Sequence, residues 1–225
     1  LSPLDLVRTS KSNQEAFKTW GEQAKEVFRN FDMTRECEGI SARITDAVVR
    51  GYRYARNYIE YTPVFAHEVL SLELPLRLVT RGEYEAAAAQ VAQIKRTFSP
   101  EHRMEMEDVV RAFEPQGDVL RWQMQQKTDV FRCVCHIVRI GGAAIATNPF
   151  ELFSEYAQRM KARVLPEQLF VVQLSNGLGG YLPSEAAIAG GSYSSKSAST
   201  FCGPEGGDKL VEQTISAVDR LFGEG

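Results

Sequence analysis

Two tyrosines on glycine-rich sequence are the residues in this chain best placed to do chemistry. Gln173-Leu174-Ser175-Asn176-Gly177-Leu178-Gly179-Gly180-Tyr181 carries three glycines within four positions, and Tyr193 lies twelve residues beyond Tyr181. The apolar run 169–174, rich in β-formers, predicts a buried strand that ends at this loop. Glycines there let the backbone turn sharply and approach a ligand without Cβ clashes. Loops at the carboxyl ends of strands are where α/β proteins usually bind ligands. A phenol in such a place can donate a hydrogen bond to developing negative charge.

The elements that must position this loop are legible around it. Residues 129–140 alternate strongly, and Gly141-Gly142 predicts a tight turn into a strand over 143–147. Asn148-Pro149 reads as the N-cap and first residue of a helix running to about Arg163, which places Glu151 in its first turn, facing the helix dipole. Residues 143–174 then form a strand–helix–strand unit with parallel strands. Upstream, 68–80 alternates with Pro75 inside, which predicts an edge strand or a strand with a bulge. Residues 81–98 read as an alanine-rich helix, 104–113 as a short helix, 115–118 as a turn and 119–126 as helical. Residues 14–31 are an amphipathic helix, whereas 40–61 fits either a helix flank or an extended edge. Residues 185–189 make one helical turn, 190–207 read as a Gly/Ser-rich loop, and 208–222 form a closing amphipathic helix. The fold class is α/β or α+β, a mixed sheet flanked by helices.

Bulk properties narrow the function. With 225 residues and 44% apolar content the chain can build a real core. A net charge of -3 argues against a nucleic-acid partner, because phosphate surfaces need clustered Lys and Arg. No apolar run is long enough for a membrane-spanning helix. Cys37, Cys133, Cys135 and Cys202 lack zinc-ligand spacing and read as free thiols, with Cys133 and Cys135 on one strand face. His67, His102 and His136 form no ligand motif either. The basic residues Arg159, Lys161 and Arg163 read as favourable charge at a helix C-terminus. No internal boundary is visible. The chain is read as a single domain, and its start, Leu1-Ser2-Pro3, as a cut end.

Residues 140–200 resemble the carboxyl-terminal part of the catalytic domain of neutral/alkaline ceramidases. The resemblance is carried by Ala146-Thr147-Asn148-Pro149-Phe150, by Leu174-Ser175-Asn176 followed by Tyr181 and Tyr193, and by Ser197-Ala198-Ser199-Thr200. It implies a zinc-dependent amidase with a small-molecule or lipid substrate. Tyr181 would be the metal-proximal tyrosine and Tyr193 the oxyanion donor, with Asn148, Asn176 and Gly177 as candidate substrate contacts. The family's metal-binding Glu falls on Asn148 or Pro149, so that position is altered here. The zinc-binding histidines of the family would come from the amino-terminal half of the same protein, so zinc is expected in the whole protein and not in this chain alone. A secreted or periplasmic location is compatible with the resemblance. A ligand- or glycan-binding relative that does not hydrolyse is the alternative reading.

Overall fold

The computed structural model describes residues 33–97, 106–191 and 193–223. The chain divides into two compact units, 1–61 and 62–225. The described part of the first unit holds helix α1 (Met33–Ala55), which settles the ambiguity over 40–61 in favour of a helix as far as Ala55. The helix expected over 14–31 lies outside the described residues.

The second unit is built on a four-stranded mixed sheet. Its strands are β1 (Phe65–Pro75), β2 (Val130–Ile140), β3 (Ala143–Thr147) and β5 (Gln168–Val172), in the order β1-β2-β3-β5. β1 lies antiparallel to β2, with Leu70 opposite Cys135 and Leu74 opposite Phe131. β1 is an edge strand, the first of the two arrangements Pro75 allowed, but it starts earlier than the alternation suggested and ends at Pro75. Gly141, at φ 57°, turns β2 into an antiparallel pairing with β3. β3 and β5 are parallel neighbours, with Ala143 opposite Gln168 and Thr147 opposite Val172.

One face of this sheet carries the core. Leu70, Leu72, Leu74, Cys135, Ile137, Ala144, Ala146 and Leu169 are buried there in one cluster with Leu210, Val211, Ile215 and Val218 of the closing helix α6 (Pro204–Gly223). Pro204 stands at the first helical position, where its missing N–H costs nothing, so α6 starts before the expected Asp208. Helix α4 (Ser154–Lys161) adds Tyr156 and Met160 to the same core, and the short helix α5 (Glu185–Ala189) precedes α6 in the chain. The Tyr156 hydroxyl donates to the Pro183 carbonyl at 2.9 Å. Gly207 makes that packing possible, because a Cβ there would fall 2.2 Å from Tyr156 Cζ. Arg159 and Arg163 pair with Asp208 and Glu212 of α6 at 2.6 and 2.5 Å, exposed bridges that contribute little stability.

Two corrections concern helices. Residues 106–125 form one continuous helix, α3 (Met106–Gln125), with Pro115 inside it instead of a turn at 115–118. Pro115 removes one backbone donor. Tertiary contacts hold the helix nonetheless: Trp122 stacks on Tyr84 of α2 (Arg81–Thr97) with centroids 5.1 Å apart. The Gln125 side chain also exchanges two 2.8 Å bonds with the backbone of Val79. Further on, Asn148-Pro149 does not open a helix. The chain instead forms β4 (Glu151–Leu152), and α4 begins only at Ser154, with Phe153 at the cap position and no side-chain cap bond.

Candidate active site

The site is assembled by a zipper between segment 148–153 and the loop that follows β5. Asn148 N donates to Val172 O at 2.9 Å, Ser175 N to Asn148 O at 2.9 Å and Gly179 N to Pro149 O at 2.8 Å. Glu151 N donates to Gly180 O at 2.9 Å, and Leu152 N to the Gln173 side chain at 2.8 Å. These bonds make β4 a strand parallel to β6 (Tyr181–Leu182), with Glu151 opposite Tyr181. The loop between β5 and β6 needs unusual backbone: Leu174 and Asn176 take φ of 51° and 61°. At Gly180, φ is 63° and a Cβ would meet Ser199 O at 2.8 Å, so only glycine fits without strain.

Glu151 thus stands beside Tyr181, not in the first turn of a helix facing the dipole. Tyr181 stands opposite Glu151 in the β4–β6 pair, and its interaction with the Glu151 carboxylate is the main cause that raises the Tyr181 pKa above the ordinary tyrosine value. Partial burial and the carboxylate's charge push the same way. The Tyr193 ring meets Tyr181 edge-on, with centroids 6.0 Å apart at 78°. Tyr193 belongs to a short 3-10 turn, Tyr193–Ser195, inside the region expected to be loop, and stacks on Phe113 of α3 at 6.2 Å.

Glu151, Tyr181 and Tyr193 line a cavity of about 390 Å³, within the range of small-molecule sites. Its other walls come from α3 through Phe113, Leu120, Arg121 and Met124, and from segment 198–201. Two arginines hold that segment. Arg77 donates to Ser195 O and to Thr200 Oγ1, while Arg121 donates to Thr200 O and lies 4.2 Å above the Phe201 ring.

The structure does not bring the other sequence candidates to this cavity. Asn148 is 2% exposed, and both ends of its amide are spent: Nδ2 donates to Val172 O at 3.2 Å and Oδ1 accepts from Phe150 N at 3.1 Å. It shapes the turn before β4 instead of capping a helix. Asn176 donates to Val134 O at 3.4 Å and borders a separate cleft with Ser71, Glu73 and Arg132. Gly177 packs against Pro149, where an added Cβ would sit 3.3 Å from the ring. His67 and His136 hydrogen-bond each other at 3.0 Å on the sheet, and neither lines the cavity. His102 lies outside the described residues. Cys37, Cys133, Cys135 and Cys202 are free.

Residues that sequence reasoning missed here are Glu151, Arg121 and Ser199. Glu151 carried a signal in its position just after Asn148-Pro149, but a helix reading hid it. Arg121 and Ser199 carried none, since a lone arginine in a helix and a serine among serines are ordinary.

As a metal site the described residues are incomplete. Glu151 and Tyr181 offer two oxygen donors, whereas a catalytic zinc usually takes three protein ligands. No group of three or more His, Cys, Asp or Glu suited to a metal occurs among the described residues. Among the described residues, Glu151 and Tyr181 alone do not complete the ligand set of a catalytic zinc. No helix among the described residues is long and apolar enough to cross a membrane.

No family model matches the sequence, and no curated protein matches it. Among solved structures the chain is similar to a ceramidase complexed with C2, at TM-score 0.42 and 9% identity over 71% of this chain and 30% of that one. It is also similar to the neutral ceramidase from Pseudomonas aeruginosa, at TM-score 0.45 and 12% identity over 70% of this chain and 28% of that one. The matched stretch spans less than a third of either ceramidase.

Proposed function

We propose that this chain is the carboxyl-terminal part of a ceramidase-like amide hydrolase. The observation that carries the reading is the Glu151–Tyr181 pair, brought opposite each other by β4 and β6, with Tyr193 edge-on beside it, in the wall of a largely apolar cavity. A carboxylate next to a reacting carbonyl can take or give a proton. A phenol that stays protonated near neutral pH can donate to the oxyanion formed when an amide is attacked. In this reading Glu151 orients the Tyr181 hydroxyl, Tyr193 approaches from its own turn as oxyanion donor, and the apolar walls take the acyl chain. The substrate class is a linear amide of a small molecule or lipid.

Zinc belongs to this proposal only with ligands from outside the chain, supplied by an amino-terminal half of the same protein. The isolated chain is accordingly expected to bind no stoichiometric zinc and to show no amidase activity. Metal analysis of the purified chain, beside an amidase assay on the whole protein, tests both statements. One equivalent of zinc held by the isolated chain and lost in Tyr181→Phe would overturn the first. A whole protein that binds an acyl amide without hydrolysing it would replace the hydrolase reading with that of a ligand-binding relative.

A further inference from the structure

The cavity wall opposite β4 and β6 holds two polar groups that the proposed chemistry leaves without work. Arg121 is only 8% exposed, yet no carboxylate lies within ion-pair distance of it among the described residues. Its guanidinium donates to the Thr200 carbonyl, reaches Met124 Sδ at 3.9 Å and covers the Phe201 ring. A guanidinium has five N–H donors, so this arrangement leaves capacity unused. Burial pushes the Arg121 pKa down to about 10, the sign of a cation stripped of water without full compensation. Asp118, one turn earlier on α3, is engaged by the Ser197 hydroxyl, and Arg77 adds a second positive charge nearby. Ser199 is the second group. Its Oγ is buried and has no hydrogen-bond partner among the described residues, and Ser199 lines the same cavity.

A buried cation short of partners and an unpaired buried hydroxyl each carry a cost, which an anion between them would remove. The surrounding lining is apolar, through Phe113, Leu120, Met124 and Leu178. Glu151 contributes the opposing charge from β4, where Tyr181 engages it. We infer that the cavity binds an acyl-chain ligand with an anionic head, a carboxylate being the simplest, whose head sits against Arg121 and Ser199 while the chain follows the apolar walls. Applied to the proposed activity, the substrate would be an amide whose amine side ends in a carboxylate, an N-acyl amino acid in chemical class. The inference takes from that activity only the identity of the ligand cavity and does not require turnover.

Titration calorimetry on the whole chain tests it, with N-decanoylglycine as the anionic probe and N-decanoylethanolamine as its neutral counterpart of similar length. The anionic probe should bind about tenfold more tightly, the low end for hydrogen bonds to a charged group. Ser199→Ala should weaken the anionic probe several-fold and leave the neutral one unchanged. Arg121→Gln should abolish the preference. Arg121 also pins Thr200, so that variant can fail to fold. Ser199→Ala removes a hydroxyl that has no partner, should fold normally, and then decides alone. Equal affinities for the two probes, no binding of either, or an unchanged preference in Ser199→Ala would overturn the inference. Preferential binding without turnover would leave it standing and count against the hydrolase reading instead.

Discussion

Replacing Gly207 by alanine should destabilise the second unit although the position is helical. In an open helix the change would be favourable by up to ~1 kcal/mol, because glycine is the poorer helix former. At Gly207 the new methyl would lie 2.2 Å from Tyr156 Cζ and 2.4 Å from its hydroxyl. Tyr156 is 1% exposed and packed in the core, so its ring has nowhere to swing. Overpacking costs about 1–3 kcal/mol. Displacing the ring also breaks the 2.9 Å bond to Pro183 O, and stranding a buried donor and acceptor costs about 1–3 kcal/mol. After the helix gain is subtracted, the net loss is ~3 kcal/mol, which lowers the melting temperature by roughly 6–12 °C at this size. Gly82→Ala is the matched control: it is also helical, in α2, with nothing within 4 Å of the added Cβ. It should raise the melting temperature by a few degrees. Calorimetric or circular-dichroism melts of the two variants check the contrast. A Gly207→Ala protein that melts at or above the parent would refute the packing reasoning. The effect should also reach the site, because Pro183 directly follows β6 and its tyrosine.

Three further outcomes follow. The Tyr181 phenol should titrate above the ordinary tyrosine range, and Glu151→Gln should bring it down by removing the carboxylate acceptor and its charge; an ultraviolet titration with an unmoved inflection would disprove the contact. Tyr181→Phe should shift the melting temperature by no more than a few degrees, since the polar contacts of a hydroxyl at a partly exposed rim contribute about 1 kcal/mol or less; a loss several times larger would show the phenol to be a structural keystone. Burial lifts the Cys202 thiol from 9.0 to about 12. The folded state therefore holds this proton more tightly than the unfolded chain does, so its contribution is complete below pH ~9 and is lost as pH rises toward ~12, by up to about 4 kcal/mol. Cys135 is raised in the same sense, by its hydrogen bond with Cys133 and by burial. Urea denaturation across that window should show Cys202→Ala losing less stability than the parent, and parallel losses would refute the assignment.

The four strands of the main sheet, the β2–β3 turn and the parallel β3–β5 pair were readable from the chain, because alternation and turn residues depend on near neighbours; β4, β6 and the pairing of β1 with β2 were not. The strong alternation over 129–140, the Gly141-Gly142 turn and the apolar run ending at Leu174 predicted β2, β3 and β5, and the parallel β3–β5 pair followed from their order. The closing helix, with Leu210, Val211, Ile215 and Val218 inward, was equally plain from its period. The site was legible only in part, since the glycine loop marked Tyr181 and Tyr193 but nothing local marked their neighbours. Asn148-Pro149 carries the local chemistry of a helix start, and Pro115-Gln116-Gly117-Asp118 that of a turn. Both signals lost to longer-range bonds. Segment 148–153 gained partners in the loop after β5, which pulled Glu151 into register with Tyr181. Helix α3 gained Tyr84 and Val79 as partners, which carried it through Pro115 and delivered Arg121 to the cavity. A residue's period and capping chemistry are properties of its own few neighbours. Which carboxylate meets which phenol, and which arginine is buried without a counter-ion, is set by strand register and helix packing across 30 to 80 residues of intervening chain, and that only the tertiary structure decides.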